Sequence, residues 1–191
     1  MPVSAIILAA GSSSRMGSSK QLLKWGEETL LSHAVRTAID SRAGKVFVVL
    51  GSNEASHLKA IEDLPVSIVS NSDWQKGMGS SLKAGLAAAR DSSEAVIVMT
   101  CDMPFVTSQH INNIIGHFTK THQPIVASKY EDTAGVPALF SKQIFDELSQ
   151  IGDEEGARKV IGKHEDVALI HLDSPADIDT PEDYLKSLNK T

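Results

Sequence analysis

The chain contains little cysteine and no long apolar run. Its one cysteine, Cys101, excludes an internal disulfide bond, and nothing in the sequence argues for an oxidising compartment. The longest apolar runs, such as 95–99, have the length of a strand and are too short for a transmembrane helix. The N-terminus also lacks the basic region and long apolar segment of a signal peptide. These absences predict a cytoplasmic protein that does not bind a membrane.

Dense runs of lysine and arginine are absent as well. The 18 Lys and Arg residues are outnumbered by 24 Asp and Glu residues, which gives a net charge of −6 and a pI near 5.6. A nucleic-acid-binding protein usually carries a basic stripe, so nucleic acid is not an expected partner. The seven histidines show no His-x-x-x-His spacing, which argues against a zinc site. The acidic balance is compatible with a small anionic ligand held by a few local cations.

What is present is an alternation of strand-like and helix-like segments. Five short β-branched runs are predicted as strands, at 6–10, 46–50, 66–69, 95–100 and 125–128. Six amphipathic stretches are predicted as helices, at 29–39, 80–89, 108–118, 142–148, 155–161 and 181–188. This order predicts one domain over residues 1–191, with a three-layer α/β/α fold and a mainly parallel sheet. Segment 130–140 is the least regular and could hold an antiparallel strand.

The segment after the first predicted strand has the chemistry of a phosphate-binding loop. Residues 8–20 consist of Leu-Ala-Ala-Gly-Ser-Ser-Ser-Arg-Met-Gly-Ser-Ser-Lys, in which small residues let the backbone approach a ligand and amides and hydroxyls can donate to phosphate oxygens. Arg15 and Lys20 add positive charge, although both would also suit a solvated surface. Gly11 and Gly17 fit neither the Walker loop nor the dinucleotide fingerprint. The residues predicted here to bind nucleotide are Leu8, Ala9, Ala10, Gly11, Ser12, Arg15 and Lys20.

Two more predicted strands are followed by residues suited to a nucleotide site, and ligands of such sheets bind outside the carboxyl ends of the strands. Asp102 follows an apolar strand, where its carboxylate could hold Mg²⁺ against a triphosphate or serve only in a turn. Segment 71–82 contains a glycine-rich helix start, whose free amides could bind an anion or a base or be simply capped. Asn71, Gly77 and Ser81 are the residues predicted to bind nucleotide there. Trp74 suits either this pocket or the core.

A carboxylate near the C-terminus is the candidate for a second metal ligand. Segment 177–184 consists of Asp-Ile-Asp-Thr-Pro-Glu-Asp-Tyr, with Asp179 as the first choice and Asp177 as the second. Helix capping is the alternative, because Pro181 marks a helix start and acidic residues suit the first turn. Cys101 is interpreted as structural rather than as a nucleophile, since no histidine has a clear pairing spacing.

These motifs follow one another along nearly the whole chain, and their order resembles the molybdenum cofactor cytidylyltransferase family, which is related to the molybdenum cofactor guanylyltransferases. The segments that carry the resemblance are 8–20, 71–85, 101–104, 135–140, 152–158 and 177–184. The resemblance implies a Rossmann-like nucleotidyltransferase fold. It also implies transfer of CMP from CTP to the terminal phosphate of molybdopterin cofactor, which gives molybdopterin cytosine dinucleotide and pyrophosphate.

The same resemblance implies roles for individual residues. Arg15, Lys20 and Asp102 would be catalytic, and Asp102 with Asp179 would hold Mg²⁺, or alternatively Mn²⁺. Segments 135–140 and 152–158 would lie on the side of the molybdenum cofactor. Segment 152–158 is one residue longer than the family pattern between its aspartate and its second glycine.

The resemblance leaves other functions open. The first loop has Leu-Ala-Ala-Gly, as in the cytidylyl enzymes, whereas guanylyl relatives tend to have Leu-Ala-Gly-Gly. The enzymatic alternatives are a guanylyltransferase that uses GTP on the same cofactor and a sugar- or alcohol-phosphate nucleotidyltransferase. The non-enzymatic alternative is a chaperone that binds molybdenum cofactor. In the enzymatic case, transient contact with an apo-molybdoenzyme or its chaperone is expected, for maturation of a molybdenum hydroxylase.

Overall fold

A seven-stranded sheet dominates the computed structural model, which describes residues 1–174 and 176–190. The strands are β1 (Val3–Leu8), β2 (Lys24–Trp25), β3 (Glu28–Thr29), β4 (Lys45–Leu50), β5 (Ser67–Ser70), β6 (Ala95–Thr100), β7 (Ile125–Tyr130), β8 (Thr133–Ser141) and β9 (Val167–His171). The helices are α1 (Leu30–Ile39), α2 (Glu54–Lys59), α3 (Met78–Ala89), α4 (Ser108–Thr121), α5 (Phe145–Ser149), α6 (Ala157–Ile161) and α7 (Pro181–Leu188). Strands β2 and β3 form a small hairpin outside the main sheet.

The strand order in the main sheet is β5-β4-β1-β6-β8-β7-β9. Every neighbouring pair is parallel except the two pairs that include β8, which runs antiparallel to both β6 and β7. The predicted mainly parallel α/β fold is therefore confirmed, and segment 130–140 does contain an antiparallel strand.

The central strands are buried on both faces, which explains why their sequences are continuously apolar. All six residues of β1 are buried. Ala5 and Ile7 belong to a core that also contains side chains of α1 and α4, whereas Ile6 and Leu8 belong to a second core with side chains of α3, α5 and α6. Strand β1 therefore contributes side chains to both cores. Full burial of each leucine or isoleucine stabilises the fold by roughly 1.5–3 kcal/mol.

Helices α4 and α7 begin at threonine residues whose side chains cap the first turn. The Thr107 side chain accepts a hydrogen bond from the amide of His110 at the start of α4. Thr180 and Asp183 form a reciprocal capping box at the start of α7, with Pro181 in the first helical position. This box fixes the direction in which the chain leaves Asp179.

Several short elements differ from the prediction. The first strand ends at Leu8, and the helix expected from residue 155 begins at Ala157. The hairpin β2–β3, helix α2 and strand β9 were not predicted. The sequences of the hairpin and of α2 are largely polar, whereas β9 is apolar but does not alternate with polar residues. The burial of β9 alternates along its length at the edge of the sheet. None of the helices in the described ranges is long and apolar enough to cross a membrane.

Gly85 allows α3 to lie close to the sheet, and replacing it tests this packing. A Cβ atom at Gly85 would lie 2.5 Å from Ile6 Cγ2 and 2.9 Å from Val49 Cγ2. We expect Gly85→Ala to lower the free energy of unfolding by about 1–3 kcal/mol, because it overpacks a fully buried contact.

Gly116→Ala in α4 is the matched control, since a Cβ there would meet only Arg42 Nη1 at 3.9 Å. That substitution should stabilise the protein by about 0.5–1 kcal/mol through helix propensity. Urea unfolding of both variants measures the two effects. Equal changes in both variants would contradict the close approach of α3 to the sheet.

Candidate active site

Two adjacent cavities lie at the carboxyl ends of β1 and β6 and meet at a charged centre. The first, of about 320 Å³, collects most residues predicted to bind nucleotide: Leu8, Ala9, Ala10, Gly11, Ser12, Lys20, Gly77 and Ser81. The second, of about 260 Å³, includes Arg15, Tyr130, Arg158, Asp177 and Asp179. Lys20 and Asp102 line both cavities.

The charged centre consists of two carboxylates and two cations from three distant parts of the chain. Lys20 Nζ hydrogen-bonds Asp102 Oδ2 and lies 3.0 Å from Asp179 Oδ1. Arg15 Nη1 lies 3.1 Å from Asp179 Oδ2, on the solvent side. Burial lowers the pKa of Lys20, but the charge of Asp102 and the hydrogen bonds to both carboxylates outweigh it and raise the pKa to about 12. Lys20 is therefore a fixed positive charge at any physiological pH.

The segment that carries Asp179 is anchored beside Asp102. The amide of Ile178 donates a hydrogen bond of 2.9 Å to the carbonyl oxygen of Asp102, and the Ile178 side chain is fully buried. Asp177 lies in the second cavity, where desolvation and the charges of Asp102 and Asp179 raise its pKa to about 6. Of the two candidates for the second metal ligand, Asp179 is the one that shares Lys20 with Asp102.

The chemistry of Asp102 and Asp179 fits a divalent cation such as Mg²⁺ or Mn²⁺. Oδ1 of Asp102 is buried without a hydrogen-bond partner in the described ranges, which is costly unless a cation or donor binds there. Residues 1–174 and 176–190 contain no group of three or more His, Cys, Asp or Glu side chains suited to a metal. A pair is sufficient for Mg²⁺, which commonly binds one or two carboxylates together with waters and substrate phosphates.

The start of α3 differs from the sequence expectation. The amides of Gly79 and Ser80 already donate to the carbonyl oxygen of Asp153, at 2.7 and 3.3 Å. The expectation that they are free to bind an anion is therefore wrong. A Cβ at Gly79 would lie 2.1 Å from the carbonyl oxygen of Gly152, so glycine here lets loop 152–155 pack against the helix start.

Asn71 is placed behind the wall of the first cavity rather than in it. It is buried, and its Nδ2 donates to the hydroxyls of Ser80 and Ser81, each at 3.0 Å. Asn71 therefore orients Ser81, which does line the cavity. Trp74 combines the two roles considered for it, because it lines the first cavity and also packs against the core.

Cys101 is buried beside the charged centre. Burial, followed by the negative charge of Asp102, raises the pKa of the Cys101 thiol to about 12. The thiol is therefore protonated at neutral pH and is a poor nucleophile, in keeping with the structural role inferred from the sequence.

Gln21 and Tyr130 are two site residues that the sequence analysis did not select. Gln21 lines the first cavity, and its side chain is buried beneath the loop formed by residues 9–20. Tyr130 ends β7 and lines the second cavity, where burial raises the pKa of its phenol. The available signals were the position of Gln21 directly after Lys20 and the position of Tyr130 at a strand end.

Comparison with known proteins shows similarity to nucleotidyltransferases. The MobA-like NTP transferase domain matches residues 5–167. The chain is 26% identical over 185 residues to the molybdenum cofactor cytidylyltransferase of Escherichia coli K12, covering 96% of this chain and 94% of that protein. It is 28% identical over 192 residues to the purine catabolism protein PucB of Bacillus subtilis 168, covering 94% and 92%.

A solved structure extends the similarity to the fold. The crystal structure of Rv0371c from Mycobacterium tuberculosis H37Rv in complex with manganese superposes with a TM-score of 0.86 at 25% identity, over 100% of both chains. The match to the domain begins within β1 and ends in β9, so it includes both cavities apart from Asp177 and Asp179. This chain is a nucleotidyltransferase and belongs to the MobA-like NTP transferase domain family.

Proposed function

We propose that this nucleotidyltransferase transfers CMP from CTP to the terminal phosphate of molybdopterin cofactor and releases pyrophosphate. The observation that carries the proposal is the meeting of two cavities at one charged centre, where a nucleoside triphosphate and a phosphorylated acceptor can be brought together. The similarity to the E. coli molybdenum cofactor cytidylyltransferase supports this acceptor, because it extends over 96% of the chain.

The first cavity suits the nucleotide. Gly11 and Ser12 line it with small residues, and a Cβ at Gly11 would meet no atom within 4 Å, so a phosphate can approach the backbone closely. Lys20 supplies positive charge within this cavity, and the exposed Arg15 supplies it from the adjacent second cavity. Trp74 and Ser81 line the part of the cavity beside α3, where they suit a base or ribose.

The second cavity suits an acceptor that bears a phosphate. Arg158 supplies positive charge, and Tyr130 supplies a phenol that stays protonated as a hydrogen-bond donor because burial raises its pKa. Gly135 keeps room beside this tyrosine, since a Cβ there would lie 2.8 Å from the Tyr130 ring. These residues belong to or adjoin the segments for which the sequence resemblance implied the cofactor side.

The reaction needs charge control more than a proton acceptor. An oxygen of the acceptor phosphate attacks the α-phosphorus of CTP, a new P–O bond forms, and the bond to pyrophosphate breaks. The attacking oxygen is already anionic near neutral pH, so no strong general base and no protein nucleophile is required. The barrier arises from bringing two anions together, and Lys20 and Arg15 reduce it by offsetting phosphate charge.

The divalent cation is assigned to the two carboxylates of the charged centre. Asp102 and Asp179 would hold Mg²⁺, or alternatively Mn²⁺, and the ion would neutralise charge on the reacting phosphates. Two observations support this assignment: Asp102 Oδ1 is buried without a partner in the described ranges, and the related Rv0371c was crystallised with manganese.

Nucleotide choice separates this proposal from its alternatives. Ala10, in the Leu-Ala-Ala-Gly sequence, lines the first cavity and supports CTP, whereas turnover with GTP would identify a guanylyltransferase. After transfer, the cytosine dinucleotide would pass to an apo-molybdoenzyme or its chaperone.

The direct test measures pyrophosphate release with molybdopterin cofactor, Mg²⁺ and each of CTP, GTP, ATP and UTP. We expect turnover with CTP only, and only when the pterin is present. Turnover with a sugar phosphate in place of the pterin would move the function to another acceptor class. Binding of the cofactor without turnover of any nucleotide would favour a chaperone.

Asp102→Asn tests the carboxylate that both cavities share. Removing its charge should lower kcat/KM by roughly 100- to 1000-fold, as is typical for loss of one electrostatic group at a reacting centre. It should also weaken Mn²⁺ binding, measured by electron paramagnetic resonance. Asp146→Asn is the control, because Asp146 pairs with Arg90 at the opposite end of α3. Wild-type turnover by Asp102→Asn at saturating Mg²⁺ would contradict the metal assignment.

Lys20→Met tests the cation that joins the two carboxylates. Without Lys20, Mn²⁺ in the absence of nucleotide should bind at least about fivefold more tightly, because the repulsion between the ammonium group and the metal ion is removed. Two unit charges ~4 Å apart interact by about 1 kcal/mol even in water. Turnover should nevertheless fall severely, because the triphosphate loses its buried counter-charge. A parallel loss of metal binding and turnover would show that Lys20 does not compete with the cation for Asp102 and Asp179.

A further inference from the structure

Gln21 lies beneath the phosphate loop, defined here as residues 9–20, and it makes hydrogen bonds to both ends of that loop. We propose that Gln21 is the positioning residue that holds this loop ready for nucleotide through a closed set of hydrogen bonds. The inference rests on the proposed function only in that a nucleoside triphosphate binds at the loop. It does not depend on which base or acceptor is used.

The carboxamide of Gln21 is fully used by four loop groups. Its Nε2 donates to the carbonyl oxygens of Ala9 and Gly11, at 3.1 and 2.7 Å. Its Oε1 accepts from the hydroxyls of Ser13 and Ser19, each at 2.9 Å. The residue is 1% exposed, so water cannot replace these partners. Two donors and two acceptor positions are the complete capacity of an amide side chain.

The orientation of this amide is determined by its surroundings. The opposite orientation would place Oε1 against two carbonyl oxygens, which have no hydrogen to offer. Ser19 must therefore give its hydroxyl hydrogen to Gln21, and it accepts at 2.7 Å from Nε2 of His57 in α2. His57 is buried, and burial lowers its pKa, so the neutral form that carries hydrogen on Nε2 completes the set.

The same bonds connect the loop to the charged centre. Ser13 gives its hydroxyl hydrogen to Gln21 and accepts one from the backbone amide of Lys20, at 3.1 Å. Ser13 has a left-handed backbone with φ 57°, which disfavours a residue other than glycine and needs compensation from local bonds. Gln21 therefore sets both the carbonyl groups at the start of the loop and the backbone position from which the Lys20 side chain extends.

Only an amide satisfies this arrangement. A carboxylate at position 21 would face the oxygens of Ala9 and Gly11 with no hydrogen to donate. A methionine would leave the carbonyl oxygens of Ala9 and Gly11 without their Gln21 donor and the hydroxyls of Ser13 and Ser19 without their acceptor, and lost buried hydrogen bonds are costly. Gln21→Glu is nearly isosteric, so it leaves the shape of the site unchanged while it removes both donors and adds a negative charge. Amide exchange in the free protein reports the loss of the hydrogen bonds separately from repulsion of the nucleotide.

The test measures binding of CTP and of GTP, each with Mg²⁺ and without acceptor, by calorimetry. Gln21→Glu should weaken binding of the preferred nucleotide about 10- to 100-fold. Amide hydrogen exchange in residues 9–20 should increase in the free protein, while KM for the acceptor stays within about twofold of the wild-type value. Gln109→Glu, on the exposed surface of α4, is the control and should change neither property.

If Gln21→Glu does not fold, Ser19→Ala provides the same test with a smaller perturbation. It removes the hydrogen bonds of Ser19 to Gln21 and to His57, and nucleotide binding should weaken about two- to fivefold with the same local rise in exchange. Wild-type nucleotide affinity and exchange in a folded variant would overturn the role of Gln21 alone. Failure of the wild-type protein to bind either nucleotide would overturn the proposed function and this inference together.

Discussion

The contact of Lys20 with Asp102 and Asp179 is the interaction on which the geometry of the site depends. It joins residues that are 82 and 159 positions apart in the sequence. The loop after β1, the end of β6 and the segment before α7 must all be in place for it to form. With Arg15, the group contains two negative and two positive charges, so the free protein keeps its carboxylates neutralised. A triphosphate that binds together with a divalent cation supplies both signs of charge. The two carboxylates then face the cation, and Lys20 and Arg15 face the phosphates.

The sequence predicted the fold where the burial of a strand is reflected in its composition. Strand β1 contributes side chains to two cores, which is why Val3–Leu8 is apolar at every position and easily recognised. Helix α7 was predicted at its observed bounds because Thr180 and Pro181 form a local start signal. Strand β9 was missed because it is a short edge strand in which Leu169 is exposed and Ala168 is buried, so its apolar residues do not alternate with polar ones as in a half-buried strand.

The sequence located the chemical groups of the site better than their contacts. Most residues chosen from the first loop do line the first cavity. The fate of the amides at Gly79 and Ser80 was not predictable, because the oxygen that they bind belongs to Asp153, more than 70 residues later. Gln21 was overlooked for a similar reason: glutamine is common on surfaces, and only the folded loop shows that all its hydrogen-bonding capacity is used inside the protein. Patterns along the chain identify residue types, whereas such pairings arise from tertiary structure.

The reversed direction of β8 has an evolutionary consequence. Because β8 is antiparallel to β7, the last residues of β7 and the first residues of β8 lie close together. Tyr130 and Gly135 therefore line the second cavity from a single hairpin. The wall of the other cavity comes from the loop after β1 and the start of α3. The β7–β8 hairpin can therefore diverge in sequence, length or shape while the wall of the first cavity is inherited unchanged. A gene that encodes this arrangement can acquire a new second substrate without having to rebuild its means of holding the first.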